Sequence, residues 1–84
     1  MEDKVLVTIV VPIIEKKYEV FLPANKRIGE IIVLLSKGLT DVSNGYYNIT
    51  NKERLYNQIT GREYNNNQIL KKTDIRQGTW LVFM

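Results

Sequence analysis

The sequence contains no cysteine and no histidine. The first absence excludes disulfides, thiolate metal sites and a cysteine nucleophile. The second removes the commonest general base and the commonest transition-metal ligand. Long apolar runs are missing as well. Val5–Ile14 and Ile28–Leu35 are the longest, both are interrupted, and a spanning helix needs about 20 apolar residues. The opening Met1-Glu2-Asp3-Lys4 is acidic and runs straight into a strand pattern, unlike the basic start of a signal peptide. The expectation is one soluble, cytoplasmic domain over residues 1–84, without membrane insertion. Charge of one sign is also scarce. Twelve Lys and Arg stand against nine acids for a net charge of +3, and the only adjacent cations are Lys16-Lys17, Lys26-Arg27 and Lys71-Lys72. A nucleic-acid binder gathers its cations on one face, so this pattern reads as a solvated surface.

One stretch organises what is present. In LPANKRIGEIIVLLSKGL, residues Leu22 to Leu39, the apolar Ile28, Ile31, Ile32, Leu35 and Leu39 recur at the 3.6-residue spacing of one helix face. The spacing predicts a helix over about 26–38, with Asn25 as N-cap and Gly38 as a left-handed C-cap. A helix of roughly twelve residues is marginal alone and requires a sheet to lie on. Val33 and Leu34 widen the apolar arc, so little of it should face water. Gly29 in the first turn costs up to about 1 kcal/mol against Ala.

Before the helix, Lys4–Val11 alternates, with Val5, Val7, Ile9 and Val11 on one face and Leu6, Thr8 and Val10 on the other. Pro12 has no N–H to donate, so it ends that strand or sits at an edge. A loose loop of several residues should lead into 17–22, which alternates again, so the two runs form an antiparallel hairpin. After the helix, Tyr46–Thr50 reads as a strand with Tyr47 and Ile49 inward, 51–53 as a turn and Arg54–Tyr56 as a short return strand. Asn57–Gln68 is polar and Asn-rich, hence a long irregular loop. Leu70–Ile75 suggests one helical turn with both end residues tucked in. Thr79–Met84 is the last strand, and its place at the end of the sequence suggests a central one. Buried positions should include Val5, Val7, Val20, Ile28, Ile32, Leu35 and Leu81.

The stretches VLVTIVV, LPANKRIGEIIVLLSKGL, YNITNKERLY and LKKTDIRQGTWLVFM together resemble the YukD/EsaB family. These are small ubiquitin-like proteins of type VII (WXG100-type, or Esx) secretion loci in Gram-positive bacteria. Asn57–Gln68 is longer than that family's pattern. The resemblance implies an α+β, ubiquitin-like β-grasp fold: a mixed sheet of four to five strands with one central helix. It further implies a cytosolic accessory or regulatory protein, with the secretion machinery or its regulators as partners. Conjugated ubiquitin-like proteins and sulfur carriers end in a flexible Gly-Gly extension, whereas this sequence ends Val82-Phe83-Met84. A modifier or carrier role is therefore disfavoured. A small regulatory nucleic-acid binder is the other reading, and the scattered charge argues against it.

A one-helix sheet covers one of its two faces. With the odd-numbered residues of the first strand turned to the helix, Leu6, Thr8, Val10, Phe21, Trp80 and Val82 share the opposite face. That row has the aromatic anchors of a protein-binding surface, used by a monomer or weak homodimer. Reversed parity of the last strand would instead bury Trp80. Lys16, Lys17, Lys71 and Lys72 could converge on an anion, but they sit on separate segments. Thr73 or Asp74 should cap the turn before Ile75. The five tyrosines follow no base-stacking pattern. Glu53 and Glu63 have no partner base, metal set or glycine-rich loop nearby, so no catalytic residue, cofactor or metal is expected.

Overall fold

The computed structural model describes residues 3–45 and 50–84. Strand β1 (Lys4–Val11) and strand β2 (Lys16–Pro23) form a hairpin, followed by helix α1 (Ile28–Val42), strand β3 (Leu55–Asn57) and strand β4 (Trp80–Phe83). The sheet order is β2-β1-β4-β3, with β1 and β4 parallel in the centre and antiparallel pairs outside them. The last strand is central, as its position in the sequence suggested. The expected strand over Tyr46–Thr50, with Tyr47 and Ile49 inward, lies outside the described residues except for Thr50, which is not in a strand.

The hairpin follows from its alternation. Val7, Ile9 and Val11 of β1 and Leu22 of β2 are buried on one face. The connection is tighter than a loose loop. Pro12–Ile14 makes a 3-10 turn, Glu15 takes a left-handed φ of 54°, and its N–H donates to the Pro12 carbonyl at 3.0 Å.

Helix α1 lays Ile28, Ile31, Ile32, Leu35 and Leu39 in a common core with Leu55, Leu81 and Phe83, and Leu70 and Ile75 join it. Removing such side chains from water is the main favourable term in folding. Val33 and Leu34 are corrections, because both are half exposed. A helix on a single sheet buries one stripe, and these two residues fall outside it. Val5 and Val20, expected in the core, are only partly buried against it: Val20 lies on the edge strand β2, and Val5 near the start of β1, ahead of the stretch paired with β4.

Both expected caps are also corrected. Arg27, rather than Asn25, is the N-cap residue, and its N–H donates to the Glu30 carboxylate at 3.1 Å. The next two orphan donors go to a distant loop: Ile28 N–H to the Gln68 carbonyl at 2.8 Å and Gly29 N–H to the Asn66 carbonyl at 3.0 Å. The loop's carbonyls do the work that an Asn25 side chain would have done. At the other end the helix runs through Gly38, because Leu39 stays buried in helical register. It stops where Asn44 and Gly45 turn left-handed, and Gly45 N–H donates to the Thr40 carbonyl.

Residues 58–68 carry no strand or helix, as expected of a loop, but specific hydrogen bonds fold the segment back on itself. Asn57 N–H donates to the Arg62 carbonyl, Gly61 N–H to the Asn57 carbonyl and Tyr64 N–H to the Leu55 carbonyl, closing a tight reversal. The Asn57 side chain accepts from the N–H groups of Ile59 and Thr60, and the Asn65 side chain from that of Asn67. These asparagines replace the backbone partners that a regular element would supply. Leu70–Lys72 makes the expected single turn, with Leu70 and Ile75 fully buried.

Candidate protein-binding face

The sheet face away from α1 is set by register. Leu6 lies opposite Phe21, Thr8 opposite both Glu19 and Trp80, and Val10 opposite both Lys17 and Val82. Directly opposite residues share a face, so the structure brings all six expected surface residues together. Leu81 and Phe83, between them in sequence, are fully buried on the helix side.

Their exposure is uneven. Phe21 is 64% exposed and Trp80 40%, while Leu6, Val10 and Val82 are intermediate. Thr8 corrects the expectation of an open row, being only 8% exposed. It sits in a central strand with a long side chain on each flank, Glu19 and Trp80, which cover it. The wet apolar surface is thus concentrated at Phe21 and Trp80.

Three residues of this face were not in the expected set. The Lys17 ammonium lies over the Trp80 ring, 5.0 Å from its centroid. Such a contact holds an aromatic ring in one orientation while leaving its edge accessible. Glu19 lies between Lys17 and Phe21 on β2, and Tyr56, opposite Val82, carries the row onto β3. Strand alternation over 17–22 puts Lys17 and Glu19 on the face of Phe21, which is the signal for them in the sequence.

A second apolar feature lies on the other side of β2. A groove of about 340 Å³ runs between that strand and α1, lined by Tyr18, Val20, Leu22, Leu34, Gly38 and Val42 among others. Its signal in the sequence is the surplus of apolar residues on the helix, Leu34 among them.

Several polar groups among the described residues are bonded to one another. The Tyr64 hydroxyl donates to Asp74 Oδ1 at 2.7 Å and accepts from Asn57 Nδ2 at 3.1 Å. Burial, aided by the Asp74 carboxylate, pushes it up to about 12, which favours the protonated form that donates to Asp74. Asp74 is therefore a tyrosine acceptor rather than a cap. Thr73 takes the capping role, its hydroxyl accepting from Ile75 N–H at 3.1 Å. Glu53 is buried and accepts from the Thr50 N–H and hydroxyl at 2.7 and 3.0 Å, while Glu63 pairs with Arg54 at 3.2 Å. Lys16 and Lys17 open β2, whereas Lys71 and Lys72 sit on the turn before β4. Among the described residues no group of three or more Asp and Glu is placed to hold a metal ion. No described helix is long and apolar enough to cross a membrane.

By sequence, no family model and no curated protein matches the chain. By structure it is similar to the N-terminal ubiquitin-like domain of the 4931431F19Rik protein, at 17% identity and a TM-score of 0.69, covering 98% of this chain and 74% of that one. It is similar to the ubiquitin of Caldiarchaeum subterraneum at 15% identity and 0.69, covering 95% and 90%. It is also similar to a chain of the MycP5-free ESX-5 inner membrane complex in State II, at 17% identity and 0.72, covering 98% of this chain and 21% of that one. The fold is the ubiquitin-like β-grasp, a mixed sheet carrying a single helix.

Proposed function

We propose that this chain is a ubiquitin-like adaptor that works by binding another protein on its outer sheet face, without conjugation and without catalysis. The observation that carries this is the presence of two exposed aromatic side chains, Phe21 and Trp80, on one sheet face that α1 leaves uncovered. Aromatic anchors amid half-buried aliphatic residues are the composition of an interface centre. The partner we favour is a component or regulator of an Esx-type, type VII secretion apparatus on its cytosolic side. Two things support it: the resemblance of four sequence stretches to the YukD/EsaB family, and the likeness to a chain of the ESX-5 inner membrane complex.

The test is capture of secretion-apparatus components by the tagged wild-type chain, set beside Phe21→Ala and Trp80→Ala. Loss of capture by both variants, with unchanged melting temperatures, is the expected result. Undiminished capture removes the outer face from the reading. Wild-type chain that travels as heavier covalent species in a lysate replaces it with a modifier role. Affinity that collapses between low and physiological salt moves it to nucleic acid, because released phosphate counterions cause that slope.

A further inference from the structure

Strand order leaves β2 at the edge of the sheet, and no described strand pairs with its outer side. The backbone groups on that side can be identified. Thr8 N–H donates to the Thr79 carbonyl and Gly78 N–H to the Leu6 carbonyl, so even-numbered residues of β1 bond towards β4. Odd-numbered ones then bond towards β2, in the pairs Val5–Leu22, Val7–Val20 and Ile9–Tyr18. The Ala24 N–H, donating to the Asp3 carbonyl at 2.8 Å, continues the same alternation. It follows that Lys17, Glu19 and Phe21 direct their N–H and C=O groups outward. Pro23, next in that series, has no N–H to leave unpaired, which suits the end of an open edge.

We propose that this edge pairs with β2 of a second copy, antiparallel and about a two-fold axis at Tyr18, to make one continuous eight-stranded sheet. Charge selects the register. With the axis at Tyr18, Lys17 lies opposite Glu19 of the second copy and Glu19 opposite its Lys17, two opposite-charge pairs on the outer face. Moving the axis to Glu19 sets the two Glu19 carboxylates against each other. Moving it to Val20 sets Pro23, without a donor, opposite Lys17. In the favoured register Lys17 leaves the Trp80 ring for the carboxylate of the second copy.

The helix-side groove gives the same pairing an apolar component. Tyr18 and Val20 line it from the edge strand, and Leu34 and Val42, both more than half exposed, line it from α1. Two-fold pairing brings the two grooves together on one side of the joined sheet, where Leu34 and Val42 of each copy are covered. A self-complementary patch of this kind is what a two-fold interface requires. An uncovered strand edge beside an apolar groove is otherwise a liability.

Sedimentation velocity from micromolar to millimolar protein tests the proposal. The wild type is expected to pass from monomer to dimer over that range. Glu19→Lys and Lys17→Glu each place like charges in both pairs and are expected to weaken the dimer at least about tenfold. The double variant Lys17→Glu/Glu19→Lys restores opposite charges and is expected to recover dimerisation. Glu19→Pro removes one outward N–H while sparing the bonds to β1, and it should abolish the dimer. Both positions changed, Lys17 and Glu19, are exposed, so thermal melts serve as the folding control. A wild type that stays monomeric at millimolar concentration overturns the proposal. So does a dimer that ignores the single charge changes, or a double variant no better than the singles.

Discussion

Lys17 and Trp80 belong to strands that do not touch, yet the lysine ammonium lies 5.0 Å from the centre of the indole, reaching across β1 to do so. The stem passes over the outer face of β1, where Val10 is Lys17's direct neighbour and Thr8 is Trp80's. An exposed cation on an aromatic face is worth about 0.5–1 kcal/mol. Lys17→Met keeps the stem and removes the charge. In a double-mutant cycle with Trp80→Leu, followed by urea unfolding, the coupling should be of that size and favourable. Zero coupling means the ring is held by packing alone.

Trp80 itself should contribute little to folding. At 40% exposure it loses only part of its transfer energy on truncation, whereas an interface anchor can lose about 2 kcal/mol of binding, roughly thirtyfold in affinity. Trp80→Ala is therefore expected to melt close to the wild type. A cost of about 3–5 kcal/mol, the size seen for a buried tryptophan, would contradict its placement on the outer face.

Two neighbouring positions on α1 should behave oppositely. Ile32 faces the sheet and is buried, so Ile32→Ala is expected to cost about 2–5 kcal/mol by opening a cavity. Leu34 is half exposed, and Leu34→Ala should fall within about 1 kcal/mol of the wild type. Equal costs in denaturant melts would mean that the helix is rotated from the position described.

The two helical glycines differ for a reason outside the helix. A Cβ on Gly38 meets nothing within 4 Å, so Gly38→Ala should stabilise by about 0.5–1 kcal/mol. A Cβ on Gly29 would stand 3.3 Å from the Asn66 carbonyl oxygen, the same oxygen that accepts the Gly29 N–H. Gly29→Ala is expected to gain less than Gly38→Ala, because the loop must give way. Urea midpoints of the two variants decide it.

Tyr64 predicts a pH response on the alkaline side. Its hydroxyl is raised from 10.0 to about 12, chiefly by burial and then by Asp74. The raised value favours the protonated form in the folded state. The stability this supplies is fully present below pH 10 and is lost as pH rises through 12. Tyr64→Phe removes the hydroxyl's two hydrogen bonds, at about 0.5–1.5 kcal/mol each, and with them this part of the alkaline loss. Stability curves for the two proteins between neutral pH and pH 12 should converge.

Much of this was legible in the residues themselves. Alternation in 4–11 and 17–22 assigned Val7, Ile9 and Val11 to one face and Leu6, Thr8 and Val10 to the other, since a strand's side chains have a period of two. The spacing of Ile28, Ile32, Leu35 and Leu39 assigned the helix stripe in the same way. These are properties of backbone geometry, and they hold wherever the element docks. What the tertiary structure decided were the matters involving two distant segments. The helix starts at Ile28 and not earlier because the carbonyls of Asn66 and Gln68 reach its first N–H groups, and nothing near Asn25 announces them. Thr8 is covered because Glu19 and Trp80 arrive from two other strands. Leu34 and Val42 are exposed because β2 is the sheet's last strand, leaving the helix wider than what lies beneath it. A local pattern says which way a side chain points, but only the partner across the sheet or the loop determines whether water still reaches it.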